Sequence, residues 1–465
     1  MPSPNPPAAS PSAPPVKNWK VGTLTYTSGG LILLFVWLLF GDFAWSMRDR
    51  SVTPMASWFL KELNVSNVLF GLIMSSAPAL VGLLFVPYIS VKSDRYRSRW
   101  GRRIPFLTVT TLVSTFGMLG IAFTSTLAKK LHPFVPGFDE TTLAICCFVA
   151  FWTAFEFAAL GGQSVFQGLI NDVVPKELLG RFFGLFRTIS LLDGIAFNYW
   201  IMGHIPSHFT LILTSIAIFY GVSFCWVCFK VKEGEYPPVE APAPSEAPAK
   251  NDLLQSVKGI RSYLRECFTH RYYLSVFLML TGAALAFAPV NTFAIPFARS
   301  VGVSMEVYGK AVAASFCISL ILAFPLGWLA DRFHPVRVTT CVLALHSFVC
   351  AIGAIFAHSA EAFVICFVLH SAVGGAFLTS SASLGQRLYP QTRFGQFASA
   401  AGAMGSLCMI VFVPAIGIFI DLSGNIYRYT FIIGGCFGVL AFAMAYRVLK
   451  QFMALGGPRG YVAPE

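Results

Sequence analysis

The sequence predicts an all-α membrane protein of twelve transmembrane helices in two six-helix pseudo-repeats. Three observations carry this reading. Of 465 residues, 56% are hydrophobic and only 12% charged, half the charge of a typical soluble domain, too little to solvate a chain this size. Apolar runs long enough to cross a bilayer, about 20 residues each, recur twelve times. Two loop patterns return about half a chain apart.

In chain order, residues 1–28 open on a Pro-, Ala- and Ser-rich stretch. It is expected to be a disordered cytoplasmic tail and carries no secretory signal pattern. The first six spans fall near 29–60, 68–91, 104–127, 142–170, 182–204 and 209–230, making an N-terminal half over 29–230. The first run is long and polar in its second part. It is either one long tilted helix or a shorter helix with a broken extension. Residues 231–271 form a cytoplasmic linker, with Pro237, Pro238, Pro242, Pro244 and Pro248 ahead of an amphipathic helix over 252–267. The last six spans fall near 272–298, 307–329, 338–357, 361–385, 397–420 and 430–446. They make a C-terminal half over 272–446, followed by a cytoplasmic tail over 447–465.

The net charge of +12 would suggest nucleic acid in a soluble protein. Here the Lys and Arg residues crowd onto alternate loops, above all 92–103 and the linker, leaving Lys61, Lys129, Lys130, Arg299, Lys310 and Arg428 on the other side. That asymmetry predicts both termini in the cytoplasm and no nucleic-acid partner. The chain is expected in the plasma (inner) membrane as a monomer. Most of the 11 cysteines lie in apolar runs, where Cys packs as a small hydrophobe. His346 and His370 read as hydrogen-bonded helix residues, so no metal and no cofactor is expected. No nucleophile motif or phosphate loop is present, so the chain is not expected to be an enzyme.

The halves share motifs. Pro87 precedes Asp94-Arg95 after the second span, and Pro325 precedes Asp331-Arg332 after the eighth. Pro175 with Gly180 follows the fourth span, and Pro390 with Gly395 follows the tenth. Parallel six-helix repeats resemble the major facilitator transporters, and Asp94-Arg95 through Gly101-Arg102-Arg103 resembles their loop signature. An Asp at a helix end can accept from the free N–H groups that open a helix in the other half. Asp94, Arg95, Arg102, Arg103, Asp331 and Arg332 are therefore expected to gate the cytoplasmic side.

The stretch Ser98-Arg99-Trp100-Gly101-Arg102-Arg103-Ile104-Pro105-Phe106 is similar to the plant-type sucrose–proton symporters and their animal relatives among the glycoside–cation symporters. The likeness continues through Glu156, Gln163 and Asp172. Glu156 stands where those symporters carry Asp, and Ala159 and Leu160 replace an Asn pair. Residues 68–91 hold no acid, unlike the melibiose permeases, which speaks against a sodium site. The resemblance implies an acid at Glu156 working with an Arg on the fifth helix, Arg187, and a proton as coupling ion.

Charge inside a bilayer is costly and marks pathways or pairs. It sits in the N-terminal half: Asp42, Arg48, Asp49 and Arg50 in the first span, Glu156 in the fourth, Arg187 and Asp193 in the fifth. At helical spacing Asp42, Trp45, Ser46, Asp49 and Thr53 share a face. If the helix holds, that stripe lines a central cavity; otherwise residues 48–50 lie at the outer surface. Glu156, Asp42, Asp193 and Arg187 are the ion-coupling candidates. Asp49, Arg48, Arg50, Trp45, Trp152, Gln163, Asn198 and Asn291 are the substrate candidates. Asn291, between Pro289 and Pro296, marks an expected kink in the seventh helix. The activity expected is proton-coupled uptake of a sugar or glycoside by alternating access. The alternatives are transport of an anion, such as a uronide or another organic acid, and a non-transporting membrane sensor.

Overall fold

The computed structural model describes residues 19–236, 263 and 265–464. The first part of the N-terminal tail and nearly all of the expected amphipathic helix lie outside the described residues. Among the described residues eleven helical stretches are long and apolar enough to cross a membrane, and one of them, Lys176–Lys230, holds two helices, so twelve are numbered: α1 (Ser28–Glu62), α2 (Asn67–Arg95), α3 (Ile104–Ala122), α4 (Glu140–Val173), α5 (Leu179–Ala196), α6 (Ile205–Lys230), α7 (Arg271–Thr292), α8 (Met305–Phe333), α9 (Pro335–Phe356), α10 (Ala360–Ser381), α11 (Phe394–Leu422) and α12 (Tyr429–Ala454). A π-turn at Phe197–Ile201 and a 3-10 turn at Met202–His204 join α5 to α6. A two-stranded ribbon, β1 (Trp19–Val21) and β2 (Leu24–Tyr26), precedes α1.

The helix starts follow local chemistry. Thr27, Ser66, Asp139, Ser304 and Ser359 each accept the N–H three residues on, satisfying a donor the helix cannot. α1 is one unbroken helix, with Pro54 tolerated inside it. The two halves repeat in three dimensions. Within the first, α1 packs on α6 and α5, α3 on α4 and α6, and α2 on α4. Within the second, α7 packs on α12 and α11, α9 on α10 and α12, and α8 on α10. The repeated loops repeat their shape: Pro175 leads into a 3-10 turn at Lys176–Leu178, and Pro390 into one at Gln391–Arg393.

Lipid tails give helices no hydrophobic reason to associate, so close packing must hold them. Small residues allow it. A Cβ at Gly117 of α3 would sit 2.9 Å from Phe155 Cβ of α4, and one at Gly282 of α7 would sit 3.3 Å from Ala441 of α12. The halves meet along α2 against α11 and along α5 against α8, two seams related by the same repeat. The two ends of the described chain lie toward one face, called here the terminal face: the Glu235 N–H after α6 donates to Thr23, and Tyr273 at the start of α7 donates to the Pro464 carbonyl.

Candidate substrate and ion-coupling site

Inside the N-terminal half, where Arg50 approaches Phe316 of α8, lies a cavity of about 360 Å³. α1 contributes Arg48, Asp49, Arg50 and Thr53, α4 contributes Glu156 and Gln163, and α5 contributes Ser190. Because α1 continues to Glu62, residue 50 lies about 18 Å short of its far end at 1.5 Å per residue. Residues 48–50 therefore lie near the middle of α1, beside the cavity, and not at its far end. A larger cavity, about 1410 Å³, lies at the terminal face by Arg97, Trp100, Glu233 and Tyr236. It borders residues outside the described set, whereas the smaller cavity gathers the charges carried inside α1 and α4, so the smaller cavity is the candidate site.

Arg48 is fully buried. Its Nε and Nη2 donate to Asp49 Oδ1 at 3.2 and 2.5 Å, and its Nη1 donates to the Tyr220 hydroxyl at 3.2 Å. The guanidinium lies 3.9 Å from the Trp45 ring centroid. A planar, weakly hydrated cation suits such a dry aromatic slot. Arg48 and Asp49 are the charges that act on Glu156. Arg187 was the expected partner; instead it is exposed, and its Nη2 donates to Thr379 Oγ1 of α10 at 3.3 Å. The fifth-helix Arg thus bridges the halves while a first-helix Arg faces the acid.

Arg50 donates to Ser190 Oγ at 3.1 Å and lies 4.9 Å from the ring of Phe316 on α8. Its charge reaches both Asp42 and Asp193. Those carboxyls are buried. Asp42 Oδ1 accepts from Ser46 Oγ at 3.3 Å, whereas Asp42 Oδ2 and both oxygens of Asp193 have no hydrogen-bond partner among the described residues. Unsatisfied buried carboxyls are rare in a settled core and fit groups that work by exchange.

Several substrate candidates prove to be packing residues. Trp45 is buried and stacks on Phe166. Trp152 is buried and donates to the Ile73 carbonyl at 2.9 Å, tying α4 to α2. Asn198 returns its amide to Gly194 O of its own helix at 2.7 Å. None of the three lines the cavity, and neither does Asn291. Asn291 marks the expected break, because α7 ends at Thr292 and a short helix follows over Ala294–Ser300. Periodicity placed these side chains on a helix face but could not tell a cavity from a neighbouring helix.

At the terminal face the expected gating residues pair within their own halves. Arg102 forks onto Asp172 with contacts at 2.7 and 2.9 Å, and Arg103 bonds Asp172 at 2.5 Å and Asp94 at 2.7 Å. Asp331 pairs with Arg387 at 2.8 Å. Arg332 lies over Trp328, and Arg95 ends α2 exposed. The expected caps from Asp94 and Asp331 across the halves are therefore not made in this state. Glu233, after α6, opens α3 instead: it accepts the N–H groups of Arg102, Arg103 and Ile104 at 3.0, 2.8 and 2.8 Å. Tyr236 donates to Asp172 at 3.3 Å. Burial, with Asp172 and Glu233 nearby, pushes its phenol well above the ordinary range.

The cap across the halves exists at the opposite face. Asp421 at the end of α11 takes the backbone N–H groups of Asn67 and Val68 at the start of α2, each at 3.0 Å. The Asn67 amide donates to Asp421 and Asn425 and accepts from Lys61 and Tyr427. Arg299 pairs with Glu62 at 2.8 Å. Gly417 lets α11 lie against Asn67, since a Cβ there would collide with the Asn67 carbonyl. Asp421, Asn67 and Glu233 were not singled out in the sequence. The only signal was their place beside a helix end.

Two repeated six-helix halves around a charged central cavity, latched at one face, define a polytopic membrane protein built like a secondary transporter. The chain belongs to the Major Facilitator Superfamily, which matches residues 31–295 and 276–454. Among curated proteins it is similar to the multidrug export protein EmrB of Haemophilus influenzae (30% identical over 38% of this chain and 33% of that one). It is also similar to the sucrose transport protein SUC3 of Arabidopsis thaliana (24%, over 24% and 19%) and the mouse proton-associated sugar transporter A (34%, over 25% and 15%). The matches span a third or less of these relatives' lengths. In fold it is similar to the D-xylose–proton symporter, with a TM-score of 0.65 and 14% identity over 90% of this chain and 98% of that one.

Proposed function

We propose that the protein is a proton-coupled importer of a sugar or glycoside, working as a monomer by alternating access. The central cavity carries this reading: two acids, two arginines, an amide and two hydroxyls (Asp49, Glu156, Arg48, Arg50, Gln163, Thr53 and Ser190) surround about 360 Å³, within the volume range of small-ligand sites. Sugars are held by such donors and acceptors, and two of the relatives are named for sugar transport. The terminal face is cytoplasmic, in the plasma (inner) membrane.

Glu156 is the proton carrier. When it is ionised, the Arg48 charge faces two carboxylates, its own and that of Asp49. When it is protonated, Arg48 is matched by Asp49 alone and the Glu156 O–H becomes a donor to a substrate hydroxyl. Proton and sugar thus bind as a pair. The opposite-face latch opens for loading and recloses, and release follows at the terminal face.

The test is uptake into proteoliposomes under an imposed proton gradient, with labelled neutral sugars and labelled uronides. Wild type accumulates a neutral sugar. Glu156→Gln loses accumulation but keeps downhill exchange. Normal uphill transport by Glu156→Gln removes Glu156 as the coupling site. A second reading, an anionic substrate, is favoured by Arg50, which faces the cavity and forms no salt bridge among the described residues. Movement of uronides alone would establish it.

A further inference from the structure

Away from the central cavity, inside the C-terminal half, His346 and Cys350 of α9 meet His370 of α10. All three side chains are fully or almost fully buried. His346 Nε2 lies 3.4 Å and His370 Nδ1 4.0 Å from Cys350 Sγ, and one ligand atom from each residue lies within 4.8 Å of the others. The Phe287 ring covers both imidazoles, with centroids 4.1 Å from His346 and 5.5 Å from His370. His370 Nε2 has no hydrogen-bond partner among the described residues. Two imidazoles therefore share one buried thiol, a weak donor and weak acceptor. As a hydrogen-bonded cluster this is poorly satisfied.

As a metal site it is well composed. Atoms held about 2.0–2.3 Å from one centre stand roughly 3.4–3.8 Å apart, so the Cys350–His346 spacing already fits and small side-chain rotations bring in His370. One thiolate with two imidazoles favours copper(I) or zinc. No fourth His, Cys, Asp or Glu joins the group among the described residues. Charge decides between the two metals. A thiolate with Cu⁺ is neutral, whereas with Zn²⁺ it leaves a net charge in an apolar interior, which is costly.

The geometry points to a resident Cu⁺ site formed by Cys350 thiolate, His346 and His370, stapling α9 to α10. On binding, Cys350 exchanges its thiol proton for the metal and the proton leaves to solvent; no electron is transferred. None of its residues lines the central cavity.

The experiment uses the full-length protein in detergent, loaded with the acetonitrile complex of Cu⁺ under ascorbate, or with zinc sulfate, then desalted and assayed for bound metal. Wild type is expected to retain one copper per chain, with an X-ray absorption spectrum showing one sulfur and two imidazole nitrogens. Cys350→Ser and His370→Gln should each weaken retention at least tenfold. No retained copper, zinc retained in its place, or copper retained equally by both variants overturns the proposal. If the variants fail to fold, the wild-type spectrum decides: all-sulfur coordination, from the other cysteines, also overturns it.

Discussion

Asp421 and Asn67 join the two halves through the main chain as well as through side chains. The Asp421 carboxylate takes the N–H groups of Asn67 and Val68, one on each oxygen, and the Asn67 amide as well. The carboxylate is thus an N-terminal cap supplied from another domain, where the helix dipole favours negative charge. It can form only when α11 and α2 touch, which makes it a latch for one state of the transport cycle.

Asp421→Asn keeps one carbonyl acceptor but places an NH2 group against a backbone N–H. Charge-assisted hydrogen bonds contribute about 1.5–3 kcal/mol each, so loss of one should shift the balance of states roughly tenfold or more toward an open opposite face. Spin labels at Lys130 and Glu361, each near that face in one half, would report the change as a growing long-distance population. An unchanged distance distribution would show that the latch does not set the equilibrium.

Gly417 serves the same seam by steric means. A side chain at 417 would collide with the Asn67 carbonyl, and its neighbour Val68 lies as close. Gly417→Val should therefore open the opposite face as Asp421→Asn does, although it removes no hydrogen bond. Its signature is the same distance shift with the Asp421 carboxylate intact. A variant that stays latched would mean that the helices can separate locally without freeing the halves.

Much of this fold was legible because the bilayer imposes its length on each span. The twelve apolar runs and the repeated Asp-Arg and Pro…Gly loops locate the helices and halves well. The charged residues of α1, α4 and α5 stood out because charge is expensive there, and Arg48, Asp49, Arg50 and Glu156 do share the cavity. Partner choice was not legible. Arg187 and Arg48 are both single cations in polar stretches, and only the packing of α1 on α6, which brings Tyr220 to Arg48, decides which one faces Glu156. Which Asp makes the cap in this state was not legible for a similar reason. The rule that an Asp caps a helix of the other half holds, but Asp421 obeys it and Asp94 does not, since Arg103 lies nearer to Asp94.

Glu233 replaces a missing cap. α3 begins at Ile104, and Arg103 before it offers no capping side chain, so the loop after α6 supplies the acceptor. Loss of an N-cap costs about 0.5–2 kcal/mol, and Glu233 serves three donors. Glu233→Ala should lower the thermal unfolding midpoint, and Glu233→Gln, which keeps an oxygen, should lower it less. Equal loss in both variants would assign the effect to charge rather than to the cap.

His334 supplies a pH dependence. It sits between α8 and α9 with φ of +78°, its Nδ1 accepts the Val336 N–H at 3.4 Å, and its ring stacks on Phe452 with centroids 4.2 Å apart. Burial, with the Arg387 and Arg337 guanidinium charges, lowers its pKa from 6.5 to about 4. Below pH 6.5 the unfolded chain takes up a proton that the folded one refuses, so protonation favours unfolding. The His334 contribution to stability is complete above pH 6.5, falls as the pH drops toward 4, and levels off below that. Asn at this position tolerates positive φ and can still cap the Val336 N–H, but it does not titrate. The unfolding midpoints of wild type and His334→Asn, compared across pH 7 to 4, should therefore converge or cross as the pH falls, with the wild type losing more. Parallel curves would show that the imidazole is protonated equally in both states.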